Sequence, residues 1–115
     1  MSVMNTFSGK KFDPMHMNSE DVSLEDLAHA LSLLCRGGGH LQYFYSVGQH
    51  SINCMKEARA RGWSKRIQLV CLLHDASEAY IADIIRPVKV HLSEYYKIES
   101  KIMDCILEKF GLGDL

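Results

Sequence analysis

A chain of 115 residues, 47% hydrophobic and 23% charged, can bury one modest core and is too short for two. Its net charge of −1 excludes a general attraction for nucleic acid or an acidic membrane, so an anionic ligand has to be held by a metal or a few basic side chains. No stretch approaches the ~20 apolar residues of a membrane span, and the N-terminus has no apolar run of the secretory type.

Residues 1–22 are polar and Met-rich, with turn signals at Ser8-Gly9 and Asp13-Pro14. They are expected to form a surface arm, extended or stranded around Thr6–Phe12 and available to a partner subunit, ahead of a helical domain over 23–115. The first helix is predicted from Leu24 to Cys35. Ser23 is its N-cap, Glu25 and Asp26 lie in its first turn, and Leu24, Leu27, Ala28, Leu31, Leu34 and Cys35 share one face. Gly37-Gly38-Gly39 follows a helix and does not lead from a strand into one, so it reads as a helix stop, not a phosphate loop.

A second helix is predicted from Ser46 to Arg61, ended by Gly62. A third runs from Ser64, its N-cap, to about Ala82, and the Ile84-Ile85-Arg86-Pro87 loop follows. The fourth covers Ser93 to Phe110 with Tyr96, Ile98, Ile102, Met103, Ile106 and Phe110 as its apolar stripe. The fold class is therefore all-α, a bundle of four or more helices with minimal strand.

Cys35, Cys54, Cys71 and Cys105 stand 17 to 34 residues apart without a CxxC pair, the pattern of buried free thiols in a reducing cytoplasm and not of a disulfide or zinc site. Arg59, Arg61, Lys65 and Arg66 surround a helix–helix turn and read as a solvated face. Trp63 reads as a packed turn residue. His16, His29, His40 and His91 have no motif partner.

The chemistry concentrates in Leu72-Leu73-His74-Asp75-Ala76-Ser77-Glu78. So apolar a helix has no structural need for His, Asp and Glu within five residues. On a regular helix His74 and Glu78, at i and i+4, project together, while Asp75 points about 100° away, near enough to share a metal with His74. Imidazole plus carboxylate suits a borderline-to-hard divalent ion. His50 shares a helical face with Val47 and Cys54 and turns toward the core.

Three segments, in order, carry a resemblance: SVGQHS at Ser46–Ser51, HDASE at His74–Glu78 and ADIIRPVK at Ala82–Lys89, with Leu33-Leu34-Cys35-Arg36 ahead of them. Together they resemble the HD-domain metal-dependent phosphohydrolase superfamily, most nearly its bacterial 5′-deoxynucleotidase-like branch, from about Asp26 to Phe110. The resemblance implies an HD-domain helical bundle and metal ligation by His50, His74 and Asp75. It makes Glu78 the group that activates the attacking water. Asp83 would serve catalysis and lie near the sugar of a bound nucleotide, and Arg36 would lie near its phosphate. The implied cofactor is a divalent ion (Mn, Co or Mg, with Zn or Ni as alternatives).

The implied substrate is a small phosphate ester such as a nucleoside 5′-monophosphate, cleaved by a cytoplasmic enzyme that is a homodimer or larger homo-oligomer. It would not act on nucleic acid or at a membrane. Two departures from the pattern stand out. Ala82 replaces a common glycine, a small change as sequence. The family's last metal ligand, an Asp on a further helix, has no counterpart within residues 1–115; Asp104 and Asp114 do not match it. The expectation is that this chain in isolation binds metal weakly or not at all, with apolar surface beside the histidines for a second subunit to cover. Rival readings are an HD pyrophosphohydrolase or phosphodiesterase, and a metal- or nucleotide-binding protein without turnover. A di-iron oxygenase of the superfamily needs further downstream histidines, and His91 is the only one after Asp75.

Overall fold

The computed structural model describes residues 2–114. Three serines cap the principal helices: Ser23 and Ser64 as expected, and Ser46, which was expected as the first residue of its helix, just ahead of it. Ser23 Oγ accepts from the Asp26 N–H at the head of α1 (Leu24–Leu33), Ser46 Oγ from Gln49 at the head of α2 (Val47–Ala60), and Ser64 Oγ from Ile67 at the head of α3 (Lys65–Leu73). Each such cap stabilises its helix by about 1 kcal/mol. Two single-turn helices follow, α4 (Glu78–Ile81) and α5 (Arg86–Lys89), and then the longest, α6 (Ser93–Lys109).

The fold is all-α, as expected. Its strand consists of β1 (Met4–Asn5) and β2 (Lys11–Phe12), paired antiparallel with Met4 opposite Phe12. α2 packs along α3, and α1 lies against both α2 and α4. Gly48 permits the α1–α2 approach: a Cβ there would meet the Leu31 backbone carbonyl at 3.3 Å. The core joins Val22, Leu27, Leu31, Val47, Leu73, Ala76, Ile102, Ile106 and Leu112. On α6, Ile102 and Ile106 are fully buried and Ile98, Met103 and Phe110 pack against them, but Tyr96 of the expected stripe is 43% exposed.

Two expectations are corrected. The first helix ends at Leu33 and not at Cys35. Leu34 turns extended, and Cys35 bridges Ser46 in antiparallel fashion, with Arg36 N–H on Tyr45 O at 2.9 Å and Val47 N–H on Leu34 O at 2.8 Å. That long-range pairing satisfies backbone groups that further helix would have used. The glycines lie beyond it in a tight 3-10 turn at Arg36–Gly39, where Gly37 and Gly38 both hold φ +64°. They shape the turn and do not stop the helix.

Secondly, the long third helix breaks after Leu73. Through the break the backbone bonds run i to i−3: Ala76 to Leu73, Glu78 to Asp75, Ala79 to Ala76 and Tyr80 to Ser77. The Ile84–Pro87 loop likewise tightens into α5, with Pro87 in its first turn, where a missing N–H is tolerated.

The N-terminal arm, stranded in part, also packs on its own chain. Ser8 donates from both its backbone N–H (2.7 Å) and its hydroxyl (3.0 Å) to the Asp26 carboxylate. Phe7 stacks on His29 at 3.6 Å between ring centroids, and Phe12 is buried edge-on to Tyr80. Farther along, Met17 O accepts from the Cys105 thiol.

Candidate metal centre

α2 and the break after α3 bring the two histidines and Asp75 together. Asp75 Oδ2 lies 3.4 Å from His50 Nε2 and 3.0 Å from His74 Nε2, and the imidazole centroids are 5.3 Å apart. His74 Nδ1 donates to the Cys71 carbonyl at 2.7 Å. A carbonyl can only accept, so in the neutral ring the lone pair is left on Nε2, the atom facing Asp75.

The break also changes which residues share a face. In 3-10 geometry, residues i and i+3 eclipse. Asp75 and Glu78 therefore line one pocket of about 310 Å³ together, while His74 turns toward His50 and Cys54. The i, i+4 pairing of His74 with Glu78 expected of a regular helix does not form. Asp75 is the hinge between a donor cluster on one side and an acidic, partly basic pocket on the other.

That pocket is completed by Arg36, Asp83, Arg86 and Lys89. Asp83 Oδ2 accepts from the Gly37 N–H at 3.3 Å, tying the loop after α4 to the Arg36 turn. Ala82 delivers Asp83 there with φ +66° and ψ 174°, a conformation ordinarily reserved for glycine. Tyr95, whose hydroxyl donates to Ala82 O at 3.0 Å, and the Ala82 N–H bond to Glu78 O hold it in place. Alanine at this position is small in volume but carries backbone strain. Arg36 Nη1 is buried and meets no hydrogen-bond partner among the described residues. Lys89 is committed elsewhere, to Glu99 at 3.1 Å and to the faces of Tyr95 and Tyr96.

The charges act on one another. Burial pushes the Glu78 carboxyl up, and the neighbouring carboxylates of Asp75 and Asp83 push it further, to about 9. With protein charges alone Glu78 thus carries a proton at neutral pH. Burial also opposes ionisation of Asp75, but hydrogen bonding and charge from His74, with help from Glu78 and His50, outweigh it and lower its pKa. His74 is raised, first by its bond to Asp75. His50 is lowered, first by burial and then by the Arg36 guanidinium.

All six residues singled out in the sequence thus fall in two adjoining groups, Asp75 belonging to both. Missing from that set is Cys54. One donor atom from each of His50, Cys54 and His74 lies within 4.8 Å of the others. Its signal was present in the sequence, since Cys54 follows His50 by four residues on one helical face. Arg86 was likewise read only as loop, yet it lines the pocket without an ion pair among the described residues. The four cysteines are free and half-buried, less enclosed than expected. Asp114 pairs with Arg66, Arg61 pairs with Glu57 and lies over the Trp63 ring, and His29 stacks on Phe7, all away from the site.

No family model matches the chain. It is similar to Uncharacterized protein YfdR of Escherichia coli (strain K12), 42% identical over 112 residues that make up 97% of this chain and 60% of that protein. It is also similar to Uncharacterized protein RCAP_rcc00048 of Rhodobacter capsulatus, 34% identical over 111 residues, 91% of this chain and 56% of that one. The chain thus spans somewhat more than half the length of the curated relatives it matches. Among the described residues no helix is long and apolar enough to cross a membrane.

Proposed function

We propose that the chain carries the catalytic core of an HD-domain-type phosphohydrolase, a metal-dependent phosphomonoesterase acting on nucleoside 5′-monophosphates or similar small esters. The observation that carries this reading is the position of Asp75. Its carboxylate sits between two imidazole Nε2 atoms and, on its other side, borders a pocket into which the unpartnered Arg36 guanidinium is built. Two nitrogens and a carboxylate oxygen fit a divalent ion of the Mn, Co or Mg group, or Zn or Ni. A half-buried Arg36 whose Nη1 meets no partner among the described residues, beside Arg86, which has no ion pair among them, fits a phosphate.

When bound, such an ion supplies Lewis-acid polarisation at the phosphoryl group and lowers the pKa of water. The protein residues have separate tasks. His74, fixed by the Cys71 carbonyl, presents Nε2 without needing to reorient. Arg36 and Arg86 bind phosphoryl oxygens and offset the charge that grows as the ester bond breaks. Glu78 takes the proton of the attacking water. Glu78 is held protonated first by burial and then by the charges of Asp75 and Asp83; a divalent cation held by His50, His74 and Asp75 would offset the Asp75 charge and favour the Glu78 carboxylate for that task. Asp83 holds the Arg36 turn through Gly37 and borders the ligand.

A cytoplasmic setting belongs to the same proposal, supported by four free thiols. So does self-association, supported by an apolar groove of about 420 Å³ that Leu24, Leu31, Ile52 and Leu72 help to line, and by exposed Tyr43 and Phe44. Sedimentation at several concentrations tests the latter, and a monomer throughout refutes it. For the activity, a panel of mononucleotides is incubated with each divalent metal and released phosphate is measured. Metal-stimulated release that Asp75→Ala abolishes is expected. Metal and nucleotide binding without release under any condition would replace the enzyme with a binding protein.

A further inference from the structure

We infer that Cys54 is a further protein donor to this centre, so that the chain offers a metal two imidazoles, one carboxylate and one thiolate. The inference rests on the metal site proposed above and adds to it a ligand and a metal class.

Cys54 lies one turn beyond His50 on α2, and its Sγ is 3.6 Å from His50 Nε2 and 3.9 Å from Nδ1. A tetrahedral ion with nitrogen at ~2.05 Å and sulfur at ~2.3 Å separates these two donors by about 3.6 Å. The same geometry separates nitrogen from carboxylate oxygen by about 3.4 Å, and the His50 Nε2 to Asp75 Oδ2 distance is 3.4 Å. One donor atom from each of His50, His74 and Cys54 lies within 4.8 Å of the others, and Asp75 Oδ2 lies 3.4 Å from His50 Nε2 and 3.0 Å from His74 Nε2. An ordinary core thiol would be wrapped in aliphatic side chains. Cys54 is half-buried, and its only hydrogen-bond contacts among the described residues are to the imidazole of His50.

A thiolate changes the preference of the site. Two imidazoles and one carboxylate accept Mg and Mn, whereas an added sulfur favours Zn, Co(II) and Fe(II). As the sulfur–metal bond forms, the thiol proton leaves to solvent.

The test is a Co(II) titration of the reduced protein followed by absorption, with bound cobalt counted separately. Wild type is expected to show a sulfur-to-cobalt charge-transfer band in the near ultraviolet. Cys54→Ser is expected to lose that band while still binding cobalt through His50, His74 and Asp75. Cys71→Ser, a control on the neighbouring thiol, keeps it. Far-ultraviolet circular dichroism verifies that each variant is folded, and Cys54→Ala provides a second substitution. Cobalt bound without the band, or a band that survives in Cys54→Ser, overturns the inference and leaves the metal site standing. Failure of folded wild type to bind cobalt at all overturns the metal site and the inference with it.

Discussion

Asp83 Oδ2 accepts the Gly37 N–H at 3.3 Å across 46 residues of sequence, and the same carboxylate group is one of those that keep Glu78 protonated. Asp83→Ala therefore acts twice. It leaves the Gly37 N–H unpaired, which lowers stability by about 1 kcal/mol, and it moves the Glu78 pKa below about 9. Carbon-13 NMR of the Glu78 carboxyl across a pH titration reads the second effect. An unchanged Glu78 titration would mean that burial and Asp75 account for the shift between them.

Asp75 and Glu78 are expected to separate binding from turnover. Asp75→Ala removes the oxygen that both histidines face, and calorimetry should find metal affinity lost. Glu78→Ala leaves those three donors in place, so metal binding persists while phosphate release falls by roughly 10²–10⁴-fold. A Glu78→Ala protein active at the wild-type rate would remove that residue from the mechanism.

Ala82 is strained, and glycine should relieve it. A residue with a Cβ in this region of backbone space carries about 1–3 kcal/mol of strain, while glycine's extra freedom in the unfolded chain gives back about 0.4–1 kcal/mol. Ala82→Gly is expected to raise stability by about 1 kcal/mol, a melting-temperature gain of roughly 4 °C. A lower melting temperature in a scanning-calorimetry comparison would show that the turn tolerates its Cβ.

Asp26 ties the N-terminal hairpin to α1 and makes that attachment pH-dependent. Burial opposes its ionisation, but hydrogen bonds from Thr6 and from the Ser8 backbone and hydroxyl, with the Lys10 charge, outweigh burial and lower its pKa. A depressed folded-state pKa means that the stabilisation is present in full above the unfolded value of about 3.9 and is lost as pH falls through the folded value. Asp26→Asn should therefore be less stable than wild type in urea at pH 7, with the gap narrowing below pH 4. A gap constant from pH 7 to pH 3 would assign the effect to shape and not to charge.

The residues that reveal the elements act locally, and those elements were legible in the sequence. Ser23, Ser46 and Ser64 cap helices because a hydroxyl at that position reaches its own third N–H, and the apolar period of Leu27 and Leu31 or Ile102 and Ile106 depends only on the helix bearing them. His74, Asp75 and Glu78 stood out for the same reason, as polar groups in a segment that otherwise buries apolar ones, whereas His50 was singled out only through the resemblance carried by SVGQHS and HDASE. Packing decided the rest. The bridge from Cys35 to Ser46 ended α1 early, and the tightened turns after Leu73 moved Glu78 away from His74 and beside Asp75. Contact between α2 and the end of α3 set the two histidines around one carboxylate and drew Cys54 in with them. Helical period is a property of a single segment, whereas the 3.4 Å between His50 Nε2 on α2 and Asp75 Oδ2 after α3 exists only once both segments are packed on a common core.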